Sequence, residues 1–235
     1  MTTRRRFYKD VSVTDELGIA LDGRPVKTPM KAALRLPSRG LADAVAAEWA
    51  EQGEEIRPTI MIFTKLANTA LDRVAEHRAS IEREVLDYAN SDLVCYRTDR
   101  PPQLVEMQVR AWNPVVDWAR TELDAPFEVT DGIIHRPQPE AALSAFGQAV
   151  SGLTDFELAA FYSLMTITGS ALIAMMLARQ ALAPEAAWSA AHVDEDYQIE
   201  HWGLDDEARA RREARLAEFM ACCRFLDLAR TQPFG

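Results

Sequence analysis

The 235-residue chain carries 36 acidic against 26 Lys and Arg side chains, a formal charge of −10, and 48% of its residues are apolar. Such a length and apolar content are enough to bury a substantial core, as one large or two small domains. The acidic balance argues against nucleic-acid binding, because phosphate affinity is supplied mainly by clustered Lys and Arg.

Residues 7–13 are β-favouring and partly alternating. Asp22-Gly23 is a turn signal between Ile19–Leu21 and residues 26–28, which predicts a hairpin. Residues 33–36 could add a strand before Pro37, and Ser38 is placed to cap a helix running to about Gln52. Leu41, Val45 and Trp49 would share the face that covers the small sheet. From about residue 60 the pattern is helical. Leu66, Leu71 and Val74 mark one segment, and Ile81, Val85 and Tyr88 a second. Asn113-Pro114 is expected to split the next helical stretch, between Trp112 and Trp118. A short strand or loop over 127–134 leads to Pro137 and Pro139, read as a linker within the domain. Then follow helices near 140–151, from about 155 to 181, and from about 205. The last presents Leu216, Phe219, Met220, Cys223 and Leu226 as an apolar stripe, with Asp205, Asp206 and Glu207 at its positive N-terminal end. The fold class predicted is α+β: a small two-layer α+β domain over 1–75, then a larger all-helical domain over 76–235.

Residues 158–178 hold no charge over 21 positions, close to the roughly 20 that span a bilayer. Tyr162, Ser163, Thr166, Thr168, Gly169 and Ser170 dilute the run, and no aromatic or basic belt flanks both ends. A buried central helix is therefore expected, with no membrane insertion. Cys95, Cys222 and Cys223 are odd in number and lack C-x-x-C spacing, which suggests neither disulfides nor zinc and fits a reducing compartment. The six residues before the first strand-like pattern are too few for a presequence, so a cytoplasmic location is expected.

Catalytic patterns are absent. The glycine spacing of residues 18–23 is followed by Arg24-Pro25 where a phosphate loop needs Lys-Ser/Thr, and there is neither a G-x-S-x-G elbow nor an H-E-x-x-H. The stretch that stands out is 194–203. If helical, it stacks Asp194, Gln198 and Trp202 at i, i+4 and i+8, with Glu195 on the same side of Gln198. Such an acid-amide-indole stripe can hold a cation, cap a neighbouring helix or grip a partner. His192, Glu195, Asp196 and His201 lie close in sequence but lack the paired Glu-x-x-His of a di-iron bundle, so no metal is expected. Asp194 and Glu195 could do acid/base work, and an enzyme or ligand-binding protein using Asp194, Glu195 and His201 is the alternative reading, but no nucleophile or cofactor motif accompanies them. No catalytic residue and no cofactor is expected.

The sequence also resembles a family. Arg6-Phe7-Tyr8 with Val11 and Val13, Leu21-Asp22, Lys27-Thr28-Pro29, and Ala44-Val45-Ala46 with Glu48-Trp49 and Gln52 are similar to the ATP synthase assembly factors that chaperone the alpha subunit of the soluble catalytic head. The likeness continues through Asn68-Thr69, Leu71-Asp72, Cys95-Tyr96-Arg97, Gln108, Trp112, Pro114 and Trp118. It ends on Glu185-Ala186, Glu195, Tyr197-Gln198 and Trp202-Gly203, in order along nearly the whole chain. The resemblance implies a two-domain, non-catalytic protein that binds the unassembled alpha subunit and prevents its aggregation. Most familiar members act in mitochondria after import; this chain looks like a bacterial cytosolic relative. Within that frame Glu195 leads the partner-contact candidates, with Gln198, Trp202 and Asp194 beside it, against the simpler role of buttressing the last helix.

Overall fold

The computed structural model describes residues 4–132 and 134–230. Its N-terminal part holds β1 (Arg4–Arg5), β2 (Val11–Val13), β3 (Ile19–Leu21), β4 (Arg24–Pro25), α1 (Arg39–Ala50), β5 (Glu55–Ile56), α2 (Ile62–Thr69) and α3 (Ala75–Ala89). Next come β6 (Tyr96–Arg97), α4 (Pro102–Glu122), β7 (Thr130–Asp131), α5 (Glu140–Ser151), α6 (Asp155–Thr168), α7 (Ala171–Ala178), α8 (Pro184–Ala191), α9 (Val193–Trp202) and α10 (Asp206–Ala229). The fold is α+β, with small sheets at the N-terminal end and a remainder that is helical apart from the short parallel pair of β6 and β7, with Tyr96 opposite Thr130.

By contact, the chain forms two units. Within the described residues, one comprises 4–78, 154–160 and 221–230, and the other 79–153 and 161–220. The sequence reading cuts the chain once, after residue 75; here two later segments also belong to the first unit.

In the first unit β2, β3 and β4 form an antiparallel sheet, with Val13 opposite Ile19 and Leu21 opposite Arg24. Asp22 and Gly23 close the hairpin with φ of 48° and 75°, the left-handed backbone a two-residue turn demands. The Asp22 carboxylate accepts from the Lys9 and Asp10 amides at 3.0 and 2.9 Å. Those amides are thereby diverted from a ladder, and of the strand expected over 7–13 only Val11–Val13 pairs. Residues 33–36 are not a strand either. They cross two partners in turn, through isolated bridges from Ala33 to Lys27 and from Arg35 to Gly18, so no continuous ladder builds.

Helix α1 lies on β2 and β3 and buries Leu41, Ala42 and Val45. Ser38 caps it as expected: its Oγ accepts from the Leu41 amide at 3.1 Å and donates to the Leu228 carbonyl. Ser38→Ala should lower unfolding stability by about 1–2 kcal/mol in urea titration; an unchanged midpoint would mean the cap contributes nothing. The Glu48 carboxylate takes the Phe63 and Thr64 amides at 2.7 and 2.8 Å and so caps α2 from another helix. The helical segments expected around Leu66–Val74 and Ile81–Tyr88 are continuous, joined through a π-helical turn at Ala70–Val74 and kinked at His77. Asp72, on that turn, holds the 28–31 loop by accepting from Thr28 Oγ1 at 2.5 Å and the Met30 amide at 3.0 Å.

In the second unit α4 is one helix with Pro114 inside it, contrary to the split expected at Asn113-Pro114. Losing one donor does not break a helix whose two halves are both anchored. Trp112 on one side of the proline, and Val115, Val116 and Ala119 on the other, are buried. The single helix expected from 155 to 181 is two. Gly169, at φ 70°, turns the chain, and Ser170 Oγ caps α7 by accepting from the Ile173 amide at 3.0 Å. All eight residues of α7 are buried, which explains its lack of charge. Among the described residues no helix is long and apolar enough to cross a membrane.

Candidate partner-binding helix

Helix α9 carries the acid-amide-indole stripe and belongs to the second unit. It begins after His192, which also ends α8, and stops at Gly203, whose φ of 76° admits a glycine far more readily than other residues. Asp194, Glu195 and Asp196 occupy its first turn, where the positive end of the helix dipole favours carboxylates.

The stripe divides in two. At 100° per residue, positions i and i+8 lie about 80° apart around the axis, so one end can face inward while the other faces out. Asp194 turns inward and accepts from Gln108 Nε2 at 2.8 Å. Gln108 is itself buried on α4. Its Oε1 accepts from the Thr98 amide at 2.9 Å and its carbonyl accepts from Arg97 Nη1 at 3.1 Å. Arg97 Nε donates to the Val94 carbonyl at 2.9 Å, and the guanidinium lies 5.2 Å from the Trp112 ring centre. Burial pulls the Arg97 pKa below the usual arginine value. Trp112 Nε1 donates to the Ala190 carbonyl at 2.6 Å. Arg97, Gln108 and Trp112, which the sequence gives only as scattered points of likeness, thus form the scaffold beneath α8 and α9.

A second tie comes from α10. Arg212 donates to Asp196 Oδ1 through Nη2, and its Nη1 lies 3.2 Å from Glu195 Oε2. That latter contact is charge attraction without hydrogen-bond geometry, since Nη1 has no hydrogen-bond partner. Glu195 keeps 42% of its side chain exposed while Arg212 keeps 19%, so the carboxylate is steadied at its base and open at its edge. Gln198 and Trp202 are exposed, Trp202 by 76%.

A cavity of about 350 Å³ lies beside the start of α9, lined among others by Trp112, His192, Asp194, Glu195 and Arg215. His192 Nδ1 meets the Trp188 carbonyl at 2.8 Å and its ring stacks on Trp188 at 3.8 Å. Burial, the largest influence on it, lowers its pKa. His201 does not line this cavity; its Nδ1 meets the Tyr197 carbonyl at 2.8 Å at the exposed end of the helix. Of Asp194, Glu195 and His201, only the two carboxylates line this cavity. Among the described residues no set of three or more His, Cys, Asp or Glu is placed to share a metal ion.

One residue that positions this unit escapes a reading by motif. Asp92 is fully buried, with Oδ1 accepting from the Val94 amide at 3.1 Å and Oδ2 from the Leu172 amide at 3.0 Å. Its local signature is the aspartate at the N-cap of the short turn Leu93–Cys95; the second role, on α7, depends on a residue 80 positions away.

Comparison with known proteins gives these features a family. The model of the ATP12 chaperone protein family matches residues 5–120. Protein atp12 of Schizosaccharomyces pombe mitochondria is 24% identical over 219 residues, covering 87% of this chain and 75% of that protein. A crystal structure of a chaperone candidate from Agrobacterium tumefaciens is 41% identical, with a TM-score of 0.91 over 97% of this chain and 87% of its own. Atp12 from Paracoccus denitrificans is 38% identical, with a TM-score of 0.89 over 96% of this chain and 98% of its own. The agreement runs through both units and the α9 region, and the chain belongs to the ATP12 chaperone family.

Proposed function

We propose that this protein is an ATP-independent, non-catalytic assembly chaperone that binds the unassembled alpha subunit of the ATP synthase catalytic head and keeps it from aggregating. Family membership supports the chaperone role, and the sequence resemblance supports the choice of client. The observation that carries the reading at residue level is α9, held from beneath by Gln108 and Arg212 while Glu195, Gln198 and Trp202 face outward. A pre-organised helix with an open polar and aromatic edge loses little conformational freedom on binding. An orphan subunit of a ring exposes apolar surface, and masking it requires a complementary face but no nucleotide chemistry.

Glu195 leads the contact, with Gln198 and Trp202 along the same helix and Asp194 setting its orientation. Co-expression with the alpha subunit should recover soluble complex, and omission of the chaperone should leave the subunit aggregated. Glu195→Gln should reduce recovery several-fold while shifting the melting temperature little, since a partly exposed ion pair contributes roughly 0–1 kcal/mol. Normal capture by a folded Glu195→Gln protein would remove Glu195 from the contact, and a lowered melting temperature would reassign it to buttressing α10.

A further inference from the structure

The C-terminal end of α9 has a feature that client binding as such does not explain. Trp202 projects 76% of its surface into solvent, yet it does not stand alone. The Tyr197 ring lies 4.1 Å from His201 and 6.5 Å from Trp202, and His201 lies 6.0 Å from Trp202. Three rings therefore gather at one helix end, with His201 and Trp202 exposed and Tyr197 half-buried. An apolar anchor for an apolar pocket would be expected to sit among apolar neighbours. Here residues 200–207 supply Glu200, Asp205, Asp206 and Glu207 and no lysine or arginine. Glu207 pairs with Arg211 at 2.5 Å and Asp205 caps the Ala208 amide at 2.8 Å, whereas Glu200 and Asp206 make no ion pair among the described residues. The negative end of the α9 dipole points the same way. Just beyond, Arg209 donates to the Leu204 carbonyl at 3.3 Å and Arg211 is the partner of Glu207, so residues 200–211 carry four acids against two arginines. An exposed indole is the strongest aromatic platform for a cation, and this acidic excess and the dipole favour one.

We propose that the Tyr197, His201 and Trp202 cluster receives an arginine-bearing segment of the client protein, with the guanidinium over the Trp202 indole and its charge balanced by Glu200 and Asp206. This rests on the reading of α9 as the client-binding helix and specifies the chemistry that helix selects. Planar guanidinium suits the site better than ammonium because it stacks on an aromatic face while still donating to carboxylates at its edge.

The test uses the full chain in two arms. In the first, affinity for the alpha subunit is measured for wild type, Trp202→Ala, Trp202→Phe and the double variant Glu200→Gln with Asp206→Asn. Trp202→Ala should weaken binding about tenfold or more, the scale of an interface anchor. The phenylalanine variant should fall between the two, and the double variant should lose affinity and show a flatter salt dependence. Because Trp202 is exposed, its variants should keep the wild-type melting temperature. In the second arm, the Trp202 indole resonance, assigned by its loss in Trp202→Phe, is followed during titration with a short capped peptide carrying one arginine between leucines, and with its citrulline counterpart. Only the arginine peptide should shift it. Wild-type capture that Trp202→Ala leaves intact overturns this inference and spares the client reading. If wild type captures no alpha subunit, the client reading fails and the peptide arm alone decides: equal shifts with both peptides, or none with either, overturn the arginine site.

Discussion

Asp92→Ala should be among the most destabilising single substitutions in the second unit, lowering unfolding free energy by about 3 kcal/mol or more. The carboxylate is fully buried and spans two helix starts, taking the Val94 amide with one oxygen and the Leu172 amide with the other. Truncation leaves both donors unsatisfied, each costing about 1–3 kcal/mol, and opens a small cavity. Asp92 also makes a pH prediction. Burial, the largest influence, raises its pKa from 3.8 to about 6, against the lowering effect of the hydrogen bonds it accepts. The folded state thus takes up this proton more readily than the unfolded chain. The stability from protonation is fully present below about pH 4 and is lost as pH rises through about 6, a change on the order of 3 kcal/mol. Asp92→Asn keeps one acceptor and loses the titration, so its deficit relative to wild type should widen as pH falls from 7 to 4. Chemical denaturation of both proteins at several pH values measures this; a deficit constant across that range would remove Asp92 as the source.

Asp92 also shows where sequence reading stops. Local signals translated well where the physics is local. Asp22-Gly23 requires left-handed backbone and formed the hairpin, Ser38 capped α1, and the uncharged run became the partly buried α6 and the fully buried α7. Errors arose where tertiary structure overrode a local rule. Pro114 sits inside α4 because packing on both sides holds the helix, and the break after Thr168 needed a positive-φ glycine whose role a long apolar pattern conceals. In the candidate site, the sequence shows the 194–203 stripe only on the condition that the stretch is helical, which the helix Val193–Trp202 meets, and the resemblance supplies Arg97, Gln108 and Trp112 as names without roles. Their function as wiring depends on contacts such as the one from Gln108 to Asp194, 86 residues apart, which no spacing rule encodes.

That wiring sets the second large effect. Gln108→Ala should cost about 2–4 kcal/mol and also weaken client capture, although Gln108 is buried on α4 and cannot itself touch a partner. Its side chain joins the Thr98 amide to Asp194, and truncation strands both while freeing the first turn of α9. If α9 presents the contact residues, ordering it must then be done at the moment of binding, and affinity falls by that cost. Asp194→Ala should produce a smaller version of the same defect, since Asp194 is only partly buried. The two changes interrupt one hydrogen bond, so the double variant should be less impaired than the sum, with a coupling of about 1 kcal/mol or more in both stability and binding. A structural role alone predicts coupling in stability with client affinity unchanged per folded molecule. Coupling in both quantities ties the buried amide to the exposed helix, and additivity in both would show that Gln108 and Asp194 act independently.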